Sequence, residues 1–116
     1  MANVSLHSLT IYCTDLEKTR KFYEAIGLEL HPDFDWGGIK RYFTRLESEL
    51  SFSICLVESV TNLSNGLEFQ VDNLEEVLGK LEVLKATILT SKFLWENANY
   101  AFVLDPNGRR VRLRNK

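Results

Sequence analysis

The sequence predicts an α+β fold made of two βαβββ units, and two observations lead to this prediction. First, a shift of 58 residues, half of the 116-residue chain, aligns the two halves without a gap. The aligned apolar positions are Leu9 with Leu67, Ile11 with Phe69, Cys13 with Val71 and Leu16 with Leu74. Second, each half passes from alternating apolar residues to helical spacing and back to short alternating runs. A unit that recurs in this way cannot cover its own apolar face, so we expect the two copies to pack together.

Each unit opens with a strand and continues with a helix. The runs "SLTIYC" and "GLEFQV" alternate with the period of a half-buried strand. Thr14 with Glu17, and Asp72 with Glu75, have the spacing of a capping box, while Gly27 is a helix stop. The predicted apolar helix faces are Leu16, Thr19, Phe22, Tyr23 and Ile26 in the first unit, and Leu74, Val77, Leu78, Leu81 and Leu84 in the second.

Three shorter strands follow each helix. They are predicted in "GLELHPDF", "IKRYFTRL" and "LSFSICLV", and again in "ATILTSKF", "NYAFVL" and "RRVRL", with a "DPNG" turn before the last one. The repeats cover about residues 4–58 and 64–116 of a single domain, 1–116. We expect a cupped, mixed β-sheet with the helices on its outer face and a small-molecule cup on the other face.

Composition excludes two classes of partner. The net charge is −2 and the hydrophobic fraction is 45%, so the sequence offers neither a basic nucleic-acid surface nor a polybasic membrane patch. No run approaches the roughly 20 apolar residues that cross a bilayer, and the first residues do not resemble a secretion signal. We therefore expect a cytoplasmic protein that binds neither nucleic acid nor membrane.

The cysteines and histidines do not indicate a reactive site. Cys13 and Cys55 lie in alternating apolar runs without metal-ligand spacing, which favours buried, reduced thiols. His7 adjoins Ser8 at the start of the first predicted strand, so the two side chains should point to opposite faces of the sheet. His31 precedes a proline in a predicted turn and should face solvent.

The repeat and its motifs resemble a known superfamily. The stretches "LHSLTIYCTDLEKTRKFYEAIGLEL", "LEFQVDNLEE" and "WENANYAFVLDPNGRRVRL" are similar to the glyoxalase, bleomycin-resistance and dioxygenase proteins, also called vicinal oxygen chelate (VOC) proteins. The resemblance covers essentially the whole chain. It implies eight strands around a cleft and a homodimer.

The resemblance also implies where a metal would be held. In metal-using members of the superfamily, the ligands are a histidine, a second residue that is commonly histidine, and a glutamate. Their positions correspond here to Ser8, Gly66 and Arg112, respectively. Serine is a poor ligand, glycine has no side chain and a guanidinium repels a cation. We therefore expect no metal and no other cofactor, and the first-unit equivalent of Arg112, Ile54, would not change this.

Strand alternation assigns further residues to the predicted cup. Side chains an even number of residues apart on a strand share a face. Tyr12 therefore shares the cup face with Ser8, Glu68 shares it with Gly66, and Arg110 and Arg114 share it with Arg112. If "DPNG" forms a four-residue hairpin loop, Ala101 pairs with Arg112, and by the repeat Phe43 pairs with Ile54. The cup would then also contain Phe52, Ile54 and Leu56, together with Arg41 and Arg45.

Trp36 and Trp95 each precede the third strand of a unit. In the superfamily these segments border the cup mouth, where a tryptophan could lie against a ligand. A dimer contact or a loop anchor is the other interpretation of both residues.

Three functions fit this sequence. The first is a metal-independent, sequestering or resistance-type binder whose amphipathic, anionic ligand meets Arg112 and an apolar wall. The second is a lyase or isomerase that uses Glu68 or Tyr12 for proton transfer and Arg112 for charge stabilisation. The third is a dimeric interaction module. The alternative role of Arg112, an ion pair with Glu68, also stays open.

Overall fold

The chain forms two four-stranded sheets, one from each predicted unit. The computed structural model describes residues 3–36, 39–60 and 66–116, without the side chains of residues 34–36 and 39. Unit one contains β1 (Ser8–Cys13), α1 (Leu16–Ile26), β2 (His31–Trp36), β3 (Ile39–Arg45) and β4 (Ser51–Leu56). Unit two contains β5 (Leu67–Val71), α2 (Leu74–Val83), β6 (Thr87–Trp95), β7 (Ala98–Leu104) and β8 (Arg110–Asn115).

Both sheets have the same topology. The first sheet has the order β1-β4-β3-β2 and the second has the order β5-β8-β7-β6. In each sheet the first strand pairs in parallel with the last strand, and the other pairs are antiparallel. The predicted α+β fold of two βαβββ units is therefore confirmed.

The two helices begin and end with local chemistry that the repeat preserves. Asp15 and Asn73 are the N-caps, one residue later than the predicted Thr14 and Asp72, and their side chains accept backbone N–H bonds at 3.0 and 3.1 Å. At the other end, Gly27 follows α1 with φ of +126° and Lys85 follows α2 with φ of +61°. The predicted apolar faces are buried except for Leu84, which is 38% exposed.

The helices cover one face of each sheet, which we call the helix face, and the opposite face of each sheet is its open face. A shared core joins the two units on the helix side. The ring of Tyr23 from α1 lies 5.5 Å from Phe52 of β4 and 6.0 Å from Phe69 of β5. Phe52 and Phe69 also meet edge to face at 5.8 Å, so side chains of both units form one aromatic cluster.

A buried polar network also connects the units. The carboxylate of Asp105, in the turn between β7 and β8, accepts hydrogen bonds from the Tyr23 hydroxyl at 2.8 Å and from the Arg109 guanidinium. Arg109 in turn donates to the backbone carbonyl of Tyr12 at 3.0 Å. Asp105 and Arg109 are 3% and 4% exposed, so this ion pair is almost completely removed from water.

The titration behaviour of Tyr23 agrees with its role as a donor. Burial, followed by the nearby Asp105 charge, raises the pKa of Tyr23 well above that of an ordinary tyrosine. The phenol therefore remains protonated and keeps its hydrogen bond to Asp105 until the solution is strongly alkaline.

Two simpler predictions are settled by the fold. The structure shows Cys13 and Cys55 free and buried, and burial raises the pKa of both thiols. His7 and His31 are exposed, as expected. No helix in the described ranges is long and apolar enough to span a bilayer.

Replacement of Asp105 by Asn should destabilise the protein strongly. The substitution leaves the Arg109 guanidinium buried without its counter-charge, a change that costs about 3–5 kcal/mol in comparable sites. Urea denaturation followed by circular dichroism measures the free energy of unfolding.

Glu49→Gln is the matched control, because Arg45 and Glu49 form an i,i+4 pair in the corresponding turn of unit one but are 70% and 81% exposed. Its loss should have little effect. Equal losses for the two variants would show that the buried pair does not stabilise the fold.

Candidate functional site

The open faces of the two sheets carry different chemistry. On the first sheet, strand pairing places Ser8, Thr10 and Tyr12 beside Ser51, Ser53 and Cys55, and then beside Arg41, Phe43 and Arg45. On the second sheet it places Glu68 and Gln70 beside Arg112 and Arg114, and then beside Tyr100 and Phe102. The first open face is hydroxyl-rich, whereas the second combines arginines with aromatic rings.

The hairpin before β8 has a different loop from the predicted one. Asp105 N–H donates to the Arg109 carbonyl at 2.9 Å, Gly108 N–H donates to the Asp105 carbonyl at 2.8 Å, and Gly108 has φ of +88°. This is a three-residue loop with a left-handed glycine, a common hairpin form. Phe102, rather than Ala101, therefore lies opposite Arg112.

The two units also differ by one residue beyond their helices. Thr10 and Ser53, paired across β1 and β4, are 43 residues apart, whereas Glu68 and Arg112, paired across β5 and β8, are 44 apart. β6 contains a register shift between Ile88 and Thr90, which accommodates the additional residue. The gapless repeat alignment thus fails by one position after the helices.

This one-residue offset changes the face or the pairing partner of several predicted site residues. Phe52 and Ile54 belong to the helix face, where they are 1% and 0% exposed, and Leu56 shares their strand parity. Phe43 does lie on the open face, but opposite Ser53 rather than Ile54. The first-unit equivalent of Arg112 is consequently Ser53. Ser8 and Tyr12 lie on the open face as predicted.

An aromatic row forms the floor of the second open face. Tyr100 is 8% exposed, and its ring stacks on Phe93 at 5.9 Å, while Phe93 stacks on Phe102 at 5.6 Å. Trp95 extends the row, because its ring lies 5.8 Å from Tyr100 and remains 52% exposed. The side chain of Trp36 lies outside the described residues.

Guanidinium groups lie over this row. The Arg112 guanidinium carbon is 5.4 Å from the centre of the Tyr100 ring, and that of Arg114 is 6.0 Å away. These distances are typical of cation–π contacts. This row of rings was not predicted. With the correct hairpin loop, the alternation of residues along β7 would have placed Tyr100 and Phe102 on the open face.

Arg112 forms an ion pair with Glu68. The two residues lie directly opposite each other on β8 and β5, and their side chains are 41% and 38% exposed. The structure therefore bears out the simpler of the two roles proposed for Arg112. Because Glu68 neutralises it, Arg112 is a weaker candidate for binding a ligand anion than its neighbours.

Arg110 and Arg114 are those neighbours. Both are exposed on the same face of β8, and neither has a carboxylate partner among the residues that the structure describes. Arg110 and Arg112 line a cavity of about 280 Å³ that is also lined by Gly66, Glu68 and Phe102. This part of the second open face could bind an anionic group through guanidinium hydrogen bonds.

The predicted proton-transfer residues are not brought together within one chain. Tyr12 lies on the first sheet and is 51% exposed, whereas Glu68 lies on the second sheet in its pair with Arg112. On the first open face, Arg41 donates twice to Asp33, at 2.9 and 3.2 Å. Among the described side chains, neither face contains a base beside a nucleophile.

The three positions that correspond to the superfamily's metal ligands are also divided between the two sheets. Gly66 and Arg112 share the 280 Å³ cavity, while Ser8 lies on the first sheet. Within residues 3–36, 39–60 and 66–116, no group of three His, Cys, Asp or Glu side chains is placed to hold a metal ion. The side chains present at the three positions do not fit a divalent cation.

Comparison with known proteins defines the fold. No family model and no curated protein sequence matches the chain. Among solved structures, oxidase ChaP-H2 is 15% identical with a TM-score of 0.77, over 99% of this chain and 95% of that one.

Two other solved structures have comparable similarity. A glyoxalase family protein from Enterococcus faecalis is 18% identical with a TM-score of 0.70, over 99% and 100% of the two chains. Fosfomycin resistance protein FosX from Mesorhizobium loti is 16% identical with a TM-score of 0.69, over 100% and 94%. The chain therefore has the glyoxalase/bleomycin resistance-like fold along essentially its whole length.

Proposed function

We propose that this protein is a member of the VOC superfamily that binds an amphipathic organic anion without a metal ion, as a sequestering or resistance-type protein. One observation carries the proposal: Arg110 and Arg114, without carboxylate partners in the described chain, lie on the same sheet face as the Phe93, Tyr100 and Phe102 row. Apolar surface with a few convergent polar groups is the general form of a small-molecule site.

The ligand class follows from the two components of this face. The stacked rings of Phe93 and Phe102 offer a flat apolar surface on which an aromatic ligand can stack. The guanidinium groups offer paired N–H donors that match the geometry of a carboxylate or phosphate. A ligand with an aromatic body and an anionic group satisfies both.

Catalysis by Glu68 or Tyr12 receives less support. A general base must reach its proton, and in this chain Glu68 is already engaged with Arg112 while Tyr12 lies on the other sheet. No specific contact within the described residues favours the lyase or isomerase alternative, so binding is the function that we propose.

We further propose a homodimer in which an open face of one chain and an open face of its partner together form the cup. Support comes from exposed aromatic side chains on the two open faces: Tyr12 is 51% exposed and Trp95 is 52% exposed. Large exposed apolar side chains on a sheet face are typical of surfaces that a partner covers.

An aromatic anion should bind through Arg110 or Arg114. For 2-naphthoate we expect a thermal stabilisation that rises with ligand concentration, as mass action requires. The double variant Arg110→Gln, Arg114→Gln should weaken binding by roughly fivefold, because the carboxylate loses a solvated ion pair worth up to about 1 kcal/mol at whichever arginine it occupies. Isothermal titration measures the affinity.

Two controls define this experiment. Arg45→Gln removes an exposed arginine from the first open face and should leave the affinity unchanged. The cation 1-naphthylmethylamine should not bind more tightly than 2-naphthoate. Equal affinity of the double variant and the parent protein would overturn the proposed site.

Binding should not depend on a metal. Purified protein should contain substoichiometric zinc, manganese and iron by mass spectrometry, and chelator should change neither Tm nor the 2-naphthoate affinity. Arg112→Glu should weaken anion binding without creating a metal site, because it supplies one donor of the three that such a site needs.

Arg112→Gln separates charge loss from charge reversal, since it removes the guanidinium without adding a carboxylate beside Glu68. A stoichiometric divalent ion in the parent protein, or a gain of tight metal binding by Arg112→Glu, would contradict metal independence.

The dimer should be measurable in solution. Sedimentation equilibrium should give the mass of two chains, and replacement of Trp95 by Asp should shift the equilibrium toward monomer because a charge would be buried at the contact. Lys92→Gln, on the same strand, is the control. A parent protein that stays monomeric while binding 2-naphthoate would refute the shared cup.

A further inference from the structure

A second cavity lies beside the two helices, apart from the second open face. It has a volume of about 420 Å³ and is formed by α1, the end of α2 and the turn that follows β7. This volume lies within the range of small-molecule pockets, about 300–1,000 Å³. Because Lys18, Lys21 and Lys85 line it, we call it the lysine cavity.

The lysine cavity combines these ammonium groups with aliphatic surface. Val83 and Leu84 line it and are 82% and 38% exposed, and Leu104 contributes further apolar surface. Exposed aliphatic side chains next to cations suit a ligand that has an alkyl part and an anionic part.

The lining of the lysine cavity carries more positive than negative charge. None of Lys18, Lys21 and Lys85 has an ion-pair partner in the described part of the chain. Asp105 also lines the cavity, but its carboxylate is already bound by Tyr23 and Arg109. With Asp105 paired to Arg109, the three lysines give the described lining an excess of positive charge.

Lys85 occupies a backbone position that favours glycine. Its φ of +61° is left-handed, and the N–H groups of Lys85 and Ala86 close the end of α2 by bonding to the carbonyls of Glu82 and Leu81 at 2.9 and 3.0 Å. In unit one the same pair of bonds closes α1 around Gly27. A lysine here is strained where the fold accepts glycine, and such strain is often found at functional positions.

The other two lysines are also particular to this cavity. The repeat aligns Lys18 with Glu76 and Lys21 with Gly79, so the corresponding positions of α2 carry no cation. The βαβββ unit therefore does not need lysine at any of the three positions. Since the last carbonyls of α2 carry partial negative charge, an anion at this end would be repelled without these lysines.

We propose that the lysine cavity binds an aliphatic carboxylate. Lys18, Lys21 and Lys85 hold the carboxylate, and the alkyl chain lies against Val83, Leu84 and Leu104. This site is separate from the site proposed for an aromatic anion, and the two proposals are independent.

Octanoate is the probe for this proposal. Titration monitored by backbone amide NMR should shift the resonances of Leu84, Lys85 and Ala86. The double variant Lys21→Gln, Lys85→Gln should bind octanoate roughly tenfold more weakly, because two partly solvated ion pairs are lost. Octylamine should produce no comparable shifts.

Lys85→Gly separates binding from folding. It should raise Tm by a few degrees because it relieves the left-handed strain, and it should still weaken octanoate binding because the ammonium is lost. Arg114→Gln should leave octanoate binding unchanged. Failure of octanoate to bind, shifts centred on Tyr100, or unchanged affinity in the lysine variants would overturn the proposal.

Discussion

Both the fold and the candidate site depend on the hydrogen bonds that the Asp105 carboxylate accepts. It accepts hydrogen bonds from the backbone N–H groups of Asn107 and Arg109, at 3.0 and 2.9 Å, and thereby fixes a three-residue loop. The same carboxylate binds the Tyr23 hydroxyl and the Arg109 guanidinium, which ties the turn of unit two to α1 of unit one. Because loop length determines strand register, one buried acid both joins the units and selects the residues that lie on the second open face.

The fold and the helix faces could be predicted from the sequence because their signals are local and repeated. The two helices lie where the spacing of Phe22 and Leu81 indicates, and β1 and β5 present Tyr12 and Glu68 on their open faces as alternation requires. These inferences survive a boundary error of one residue, such as the shift of the N-cap from Thr14 to Asp15.

The remaining strands could not be placed in the same way, because their faces depend on counting through a turn. A side-chain period of two converts one additional residue into a reversal of face. Here that residue is accommodated at the register shift after Ile88, and the left-handed Gly108 shortens the predicted loop. Phe52 and Ile54 consequently entered the predicted cup, while Tyr100 and Phe102 were missed. The glycine that ends "DPNG" was the available signal, since a type I turn followed by left-handed glycine is a common hairpin loop.

The charge pattern along β8 restricts how a ligand can lie on the second open face. Arg110 and Arg114 are four residues apart, about 13 Å along a strand, so one carboxylate cannot bind both. Arg112 lies between them, but Glu68 neutralises it, which separates the two available cations by a neutral and aromatic stretch. A flat ligand that runs along β8 can stack over Phe102 while an anionic group at one end meets Arg114 or Arg110. This geometry favours an elongated aromatic anion over a compact one, and it follows from the register that the Asp105 turn imposes.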